Sequence, residues 1–229
     1  MPRRAARRMS DEPTDDPTMS DSTATWPPRL PLVAILRGLQ PERAADVGHM
    51  LFGLGFRALE VPLNRPGALR SIAALVPIAP ADGWVGAGTV LEPAQVDAVG
   101  ETGAALIVSP HFDAAVVHRA RERGMRVVPG VFTASEAFAA WRAGADALKI
   151  FPAEAMPLAG LTGLTTVLPQ TLPLWPVGGV MPASMASWRR AGATGFGLGG
   201  GLFKPEMTIA EIETRGRDYI AAWTDGVSS

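Results

Sequence analysis

The 229-residue chain contains no cysteine, and this absence removes several kinds of chemistry at once. Without cysteine there can be no disulfide, no thiolate nucleophile and no cysteine-bound metal. Histidine is also scarce, because His49, His111 and His118 are the three in the chain. Three histidines supply a metal site poorly, so we predict an activity without a metal or a separate cofactor.

Charge of one sign and long apolar runs are missing as well. The formal net charge is −1 at pH 7, so no basic face favours nucleic acid. No apolar run approaches the roughly 20 residues of a membrane-spanning helix. The length is sufficient for one sizeable hydrophobic core without a second domain. We therefore expect a soluble, cytoplasmic protein that binds neither nucleic acid nor a membrane.

The first 27 residues differ in composition from the rest of the chain. The first eight are rich in arginine, and residues 10–25 are mostly Asp, Ser, Thr and Pro. No apolar segment follows the arginines, which argues against a secretory signal. We predict a disordered tail over residues 1–27 and a single folded domain over residues 28–229.

From Leu32 onward, short apolar strands alternate with longer amphipathic stretches. One layout, a glycine followed by a strand, recurs at Gly55, Gly103, Gly124, Gly144 and Gly192. Each glycine can adopt the left-handed conformation that ends a helix. Eight strands and eight helices in about 200 residues predict an α/β fold, a single (β/α)8 TIM barrel. A doubly wound sheet is the alternative, but no glycine-rich dinucleotide fingerprint follows the first strand.

Lys149 is the most informative residue, because it interrupts a run that otherwise resembles a buried parallel strand. Such a lysine either reaches solvent from the strand end or is a desolvated nucleophile that forms a Schiff base with a carbonyl. Glu60 occupies the same position in the repeat, five residues after its glycine. In an eight-stranded barrel the two residues would face each other near the carboxyl ends of strands two and six. A purely structural buried pair is the alternative.

Other groups are predicted at the same end of the barrel. Arg37 ends the first strand and Thr89 follows the third, and together they suit a substrate carboxylate. Pro110 and Phe151 would add an apolar wall that excludes water and keeps the pKa of the lysine low.

The last two predicted strands end in glycines. Barrels often bind phosphate through backbone N–H groups of the loops after strands seven and eight, where glycine allows close approach. The glycines in question are Gly178, Gly179, Gly199 and Gly200. An amine, an acid, a carboxylate clamp and a phosphate cradle together favour retro-aldol cleavage of a 2-keto acid phosphorylated at its far end.

Five blocks of sequence resemble the KDPG/KHG aldolase family, and the similarity covers roughly residues 29–223. The blocks occur in the family's order at residues 31–38, 60–64, 86–91, 147–152 and 177–180. The resemblance implies a class I aldolase, usually a homotrimer, with Lys149 as the Schiff-base lysine and Glu60 as the acid and base. It also implies that Arg37 and Thr89 meet the carboxylate end of the substrate and that the four glycines meet the phosphate.

Residues 60–64 are more similar to the phosphogalactonate branch of the family than to the phosphogluconate branch. The phosphogluconate branch typically has Thr-Leu-Arg where this chain has Pro62, Leu63 and Asn64. We therefore expect cleavage of 2-dehydro-3-deoxy-6-phosphogalactonate to pyruvate and D-glyceraldehyde 3-phosphate, with Asn64 near the substrate. The alternative is a 2-dehydro-3-deoxy-6-phosphogluconate or 4-hydroxy-2-oxoglutarate aldolase.

Many relatives carry serine at the position of Gly200, and the missing hydroxyl predicts a weaker hold on phosphate. Two rival hypotheses remain at this point. One is a phosphosugar isomerase or synthase in which Lys149 acts only as a charge. The other is a barrel that binds phosphate without catalysis. A covalent adduct with pyruvate distinguishes the aldolase from both rivals.

Overall fold

The structure is a computed structural model, and it describes residues 25–225. Within this range the eight predicted strands and eight predicted helices are present. A ninth strand of two residues, Gly130–Val131, follows the fifth predicted strand directly after Pro129. The strands are β1 (Leu32–Ile35), β2 (Ala58–Pro62), β3 (Trp84–Gly88), β4 (Leu106–Val108), β5 (Arg126–Val128), β6 (Gly130–Val131), β7 (Leu148–Ile150), β8 (Leu174–Pro176) and β9 (Phe196–Leu198).

The helices follow the strands one for one, except between β5 and β6. The five glycines of the sequence repeat all have positive φ, from 69° at Gly124 to 111° at Gly192. Four of them lie within two residues of a helix end, as predicted, and Gly103 lies three residues after α3. No helix between residues 25 and 225 has the length and apolar content needed to cross a membrane. The helices are α1 (Pro41–Leu54), α2 (Ala68–Leu75), α3 (Pro93–Gly100), α4 (Ala114–Glu122), α5 (Ala134–Arg142), α6 (Leu158–Thr165), α7 (Pro182–Arg190) and α8 (Ile209–Asp225).

The strands form two curled parallel sheets. The larger has six strands in the order β5-β4-β3-β2-β1-β9, and the smaller has the order β6-β7-β8. The first strand therefore pairs with the last, and the order does not reverse as it would in a doubly wound sheet. The prediction was a single eight-stranded sheet, whereas the structure has two separate sheets. One break falls at Pro129, which lacks the N–H group that a continuous sheet needs, and the other lies between β8 and β9.

Alternate strand residues build a small apolar cluster inside the curl of the sheets. It comprises Val33, Ala58, Trp84, Leu106, Val108, Val128, Ala147 and Trp175. A larger apolar cluster lies between the sheets and the helices. Because side chains alternate along a strand, Glu60 and Lys149 lie on the inner face, one layer closer to the carboxyl ends than Ala58 and Ala147. The equal parity predicted for Glu60 and Lys149 is therefore present.

Trp26 packs against the amino-terminal end of this inner cluster, although the predicted tail includes it. Its ring centroid lies 5.7 Å from that of Trp84 and 5.2 Å from that of Trp175. Its indole nitrogen donates to the carbonyl of Asp146 at 3.1 Å. The remainder of the predicted tail, up to residue 24, lies outside the described residues. Composition alone missed this contact because the residues around Trp26 are polar or proline.

Candidate active site

Glu60 on β2 and Lys149 on β7 are both buried at the carboxyl ends of their strands. Glu60 is 1% exposed and Lys149 is 7% exposed. They form no direct ion pair with each other, but the charge of each acts on the pKa of the other. Within the described residues, Glu60 Oε2 is buried without a hydrogen-bond partner. A buried polar atom without a partner is costly, so the position calls for a functional explanation.

Burial shifts both groups toward their neutral forms. It raises the pKa of Glu60 to about 7, although the positive charges of Lys149 and Arg37 oppose the shift. Burial also lowers the pKa of Lys149, with Arg37 adding to the effect and Glu60 opposing it. A neutral amine is a nucleophile, and a carboxyl group with a pKa near 7 can both donate and accept a proton at neutral pH.

Because Gly88 has no side chain, the Glu60 carboxylate can occupy the space next to it. The ladder between β2 and β3 pairs Glu60 with Gly86 and Pro62 with Gly88. A β-carbon at Gly88 would overlap both carboxylate oxygens of Glu60. The glycine is therefore required by the neighbouring acid, a role that the sequence alone did not indicate.

A cavity of about 480 Å³ opens above Lys149. Arg37 and Phe151 line it together with the lysine. The Lys149 Nζ lies 4.7 Å from the centroid of the Phe151 ring, so the predicted apolar contact is present. The cavity is large enough for a small substrate, and its charged groups are cations, which favours an anionic one.

The far side of the cavity consists of the loops that follow β8 and β9. All four predicted glycines, Gly178, Gly179, Gly199 and Gly200, line it. The backbone N–H groups of Gly179, Gly199 and Gly200 donate no hydrogen bond to another described residue. Free N–H groups on two converging loops form a concave donor surface, which suits an anion such as phosphate.

Three predicted substrate contacts lie outside the lining of this cavity. Asn64 is exposed just after β2, and Pro110 packs its backbone against Gly130. Thr89 is half-buried next to Gly88 and has a φ of 56°, a left-handed conformation that is rare for a β-branched residue. Backbone strain of this kind tends to occur at functional sites.

Lys204 lines the cavity, although no sequence motif indicated a role for it. It lies on the loop between β9 and α8, five residues after Gly199. The chain contains two lysines, Lys149 and Lys204, and the structure places both at one cavity. The scarcity of lysine in the sequence is the feature that could have indicated a role for Lys204.

A desolvated lysine, a buried acid with a raised pKa and an anion-binding surface define an enzyme that acts on an anionic carbonyl compound. The sequence model of the family described as "KDPG and KHG aldolase" matches residues 28–215. The chain belongs to this family of carbon–carbon lyases.

Individual relatives agree with this assignment. The probable 2-dehydro-3-deoxy-6-phosphogalactonate aldolase of Rhizobium meliloti (strain 1021) is 45% identical over 86% of this chain and 93% of its own length. The 2-dehydro-3-deoxy-6-phosphogalactonate aldolase of Escherichia coli (strain K12) is 42% identical over 88% and 98%. The KHG/KDPG aldolase of the same E. coli strain is 32% identical over 73% and 76%.

A solved structure described as "Native KDPGal structure" superposes with a TM-score of 0.87 at 41% identity, covering 89% of this chain and 99% of that one. The fold is therefore shared over nearly the whole described chain.

Proposed function

We propose that the protein is a class I aldolase that cleaves 2-dehydro-3-deoxy-6-phosphogalactonate into pyruvate and D-glyceraldehyde 3-phosphate. The observation that carries the proposal is Lys149, which is buried, has a lowered pKa and opens onto a cavity with free backbone donors. The galactonate substrate is supported by the relatives named for it, at 45% and 42% identity, against 32% for the KHG/KDPG aldolase.

The two sheets are proposed to close into one (β/α)8 barrel. β5 and β6 are separated by Pro129 alone, whose carbonyl accepts a hydrogen bond from the Lys149 amide at 3.0 Å. At the other junction, Val177, directly after β8, forms a parallel bridge with Gly197 in the middle of β9. With β5 and β6 counted as one strand, Glu60 and Lys149 lie on strands two and six, across the barrel from each other.

The first chemical step belongs to Lys149. Its neutral amine attacks the C2 ketone to give a carbinolamine, and loss of water leaves a protonated Schiff base. This cation is an electron sink, so the reaction needs neither a metal nor an organic cofactor.

Glu60 would move the protons of the remaining steps. As a carboxylic acid it can assist the loss of water, and as a carboxylate it can accept the proton of the C4 hydroxyl. The C3–C4 bond then breaks, releasing glyceraldehyde 3-phosphate and leaving an enamine on Lys149. Protonation at C3 and hydrolysis release pyruvate and regenerate the amine.

The two ends of the substrate would bind to different parts of the site. Arg37 offers a bidentate guanidinium to the C1 carboxylate, with the hydroxyl of Thr89 as a second donor. Lys204 and the glycine loops would hold the phosphate at the other end. Asn64 and Pro110 remain predicted substrate contacts, and a homotrimer in the cytoplasm remains the prediction for the assembly and its location.

Trapping with pyruvate tests the proposal directly. We expect borohydride reduction in the presence of pyruvate to add one reduced pyruvate to Lys149, located by peptide mapping. Comparing cleavage rates on the galacto and gluco phosphates then tests the substrate, and we expect the galacto compound to be faster. Folded protein that forms no adduct under active reductant would instead favour the isomerase or the non-catalytic binder.

Gly88→Ala is expected to lower kcat by about 10²-fold, because the added methyl group displaces the carboxylate of Glu60. Gly53→Ala is the matched control, since Gly53 is exposed on α1 with open space around its Cα. We expect the control to keep full activity and to gain up to about 1 kcal/mol in the free energy of unfolding. Steady-state kinetics and denaturant unfolding measure both effects, and an unchanged kcat in Gly88→Ala would contradict the role of Glu60.

Gly200→Ser is expected to lower the KM for the phosphorylated substrate by about two- to tenfold. No heavy atom of the described part of the chain lies within 4 Å of a β-carbon built at Gly200, so the side chain fits there without rearrangement. The hydroxyl would add one donor to the proposed phosphate site. Affinity for inorganic phosphate, measured as competitive inhibition, should improve by the same factor. A KM that rises in a correctly folded variant would place the phosphate elsewhere.

A further inference from the structure

Tyr219 of α8 contacts both of the glycine loops that form the far side of the cavity. Its side chain is buried, and its hydroxyl donates a hydrogen bond to the carbonyl of Val180, on the β8 loop, at 2.8 Å. A β-carbon built at Gly201, on the β9 loop, would overlap the same hydroxyl. One oxygen atom is thus bonded to the first loop and packed against the second.

Arg215 lies one helical turn before Tyr219 and contacts the β9 loop from the same side. Its guanidinium donates to the carbonyl of Gly201 at 2.9 Å and to the carbonyl of Gly200 at 3.5 Å. Residues four apart lie on one face of a helix, so α8 presents a cation and a hydroxyl to the two loops together.

These contacts hold three loop peptides, Val180–Met181, Gly200–Gly201 and Gly201–Leu202. In a trans peptide the carbonyl and the N–H group point in opposite directions. Because the Gly200 carbonyl faces Arg215, the N–H group of Gly201 in the same peptide points away from the Arg215 guanidinium, and Gly201 itself lines the cavity. That N–H group donates to no other described residue. The Val180 carbonyl is held by Tyr219, while Met181 in the same peptide donates to Ser184 Oγ at 3.1 Å.

We propose that Tyr219 and Arg215 are positioning residues that hold the β8 and β9 loops at the separation and orientation needed to bind the substrate phosphate. The inference rests on the proposed function, because it assigns the free N–H groups to a phosphate. Neither side chain lines the cavity, so each acts through the loop backbone. The Tyr219 hydroxyl is a protonated donor at neutral pH, as any phenol is, and burial raises its pKa further.

Tyr219→Phe tests the inference with the least change in shape, since only the hydroxyl is lost. We expect the KM for the phosphorylated substrate and the inhibition constant of inorganic phosphate to rise together, about three- to tenfold. At saturating substrate kcat should be unchanged. Borohydride trapping of pyruvate should proceed at the rate of the unmodified protein, because pyruvate carries no phosphate. A purely structural defect would instead alter trapping and phosphate affinity alike.

Arg215→Gln is the second variant. It should likewise raise the KM for the phosphorylated substrate and the inhibition constant of inorganic phosphate, and leave kcat and pyruvate trapping unchanged. Arg217→Gln is its matched control, because Arg217 is exposed on the same helix and, within residues 25–225, pairs only with Glu213, at 2.6 Å. We expect the control to match the unmodified protein in every assay.

A double mutant measures the coupling across the two loops. Gly201→Ala should weaken phosphate affinity strongly while the Tyr219 hydroxyl is present, and much less in the Tyr219→Phe background, where the overlap is relieved. Additive effects of the two changes would overturn the inference, as would unchanged phosphate affinity in both single variants at positions 215 and 219. Failure of the unmodified protein to trap pyruvate would overturn the proposed function instead.

Discussion

Lys149→Met is expected to abolish pyruvate trapping and to lower the cleavage rate by about 10⁴-fold or more, because the nucleophile of the proposed reaction is lost. Methionine has a similar length and carries no charge, so the variant should fold at least as well in a site that penalises the ammonium. Trapping followed by intact-mass measurement, together with steady-state kinetics, gives the result.

Lys204→Met is the matched control, since Lys149 and Lys204 are the two lysines of the chain. We expect it to form the pyruvate adduct at an unchanged rate and to show a higher KM for the phosphorylated substrate. If Lys149→Met retained the adduct while Lys204→Met lost it, the Schiff base would belong to the exposed lysine. The mechanism proposed above would then be wrong.

Glu60→Gln is expected to reduce kcat by about 10²- to 10⁴-fold, because the amide cannot transfer the protons of the dehydration and cleavage steps. Glutamine fills the space beside Gly88 as glutamate does, so the effect isolates the chemistry. The pH dependence of kcat/KM should also lose the limb near pH 7 that the raised pKa of Glu60 produces. Glu42→Gln, an exposed change on α1, is the matched control. A retained limb would assign that titration to another group.

The raised pKa of Glu60 also predicts how stability depends on pH. The folded protein holds a proton on Glu60 up to about pH 7, whereas the unfolded chain releases it near the ordinary pKa of 4.5. The folded state thus binds more protons on Glu60 in this window, so the Glu60 contribution to the free energy of unfolding should fall between about pH 4.5 and pH 7. The lowered pKa of Lys149 has the opposite sign and makes the free energy of unfolding rise with pH at more alkaline values. The Glu60 contribution is roughly 3 kcal/mol. Denaturant unfolding should show the Glu60 decrease in the unmodified protein and its loss in Glu60→Gln.

The strand and helix pattern followed from the sequence because its causes are local. The glycine before each strand ends a helix by its own backbone freedom, as the φ of 97° at Gly144 shows, and needs no distant partner. Apolar runs of strand length predicted the strands in the same way. Lys149 and Glu60 were identified as candidates because a charged residue is unusual within an apolar strand.

The division of the sheet at Pro129 and the contact of Trp26 with the inner cluster were not predictable in this way. Whether a sheet is continuous depends on which N–H groups find acceptors on neighbouring strands. A residue of the amino-terminal segment is ordered only if it packs against a surface formed by residues distant in the sequence. Residues far apart in the chain decide both features.

The sequence by itself determined the alternation of strands and helices, the lysine and acid at equivalent positions, and the family to which the chain belongs. The tertiary structure decided the rest of the site: the pKa of Glu60, the need for glycine at position 88, the approach of Lys204 and the support of two loops by Tyr219. The physical reason is that desolvation, steric overlap and hydrogen-bond direction depend on distances between residues remote in the chain. Periodicity and local propensity contain no information about those distances.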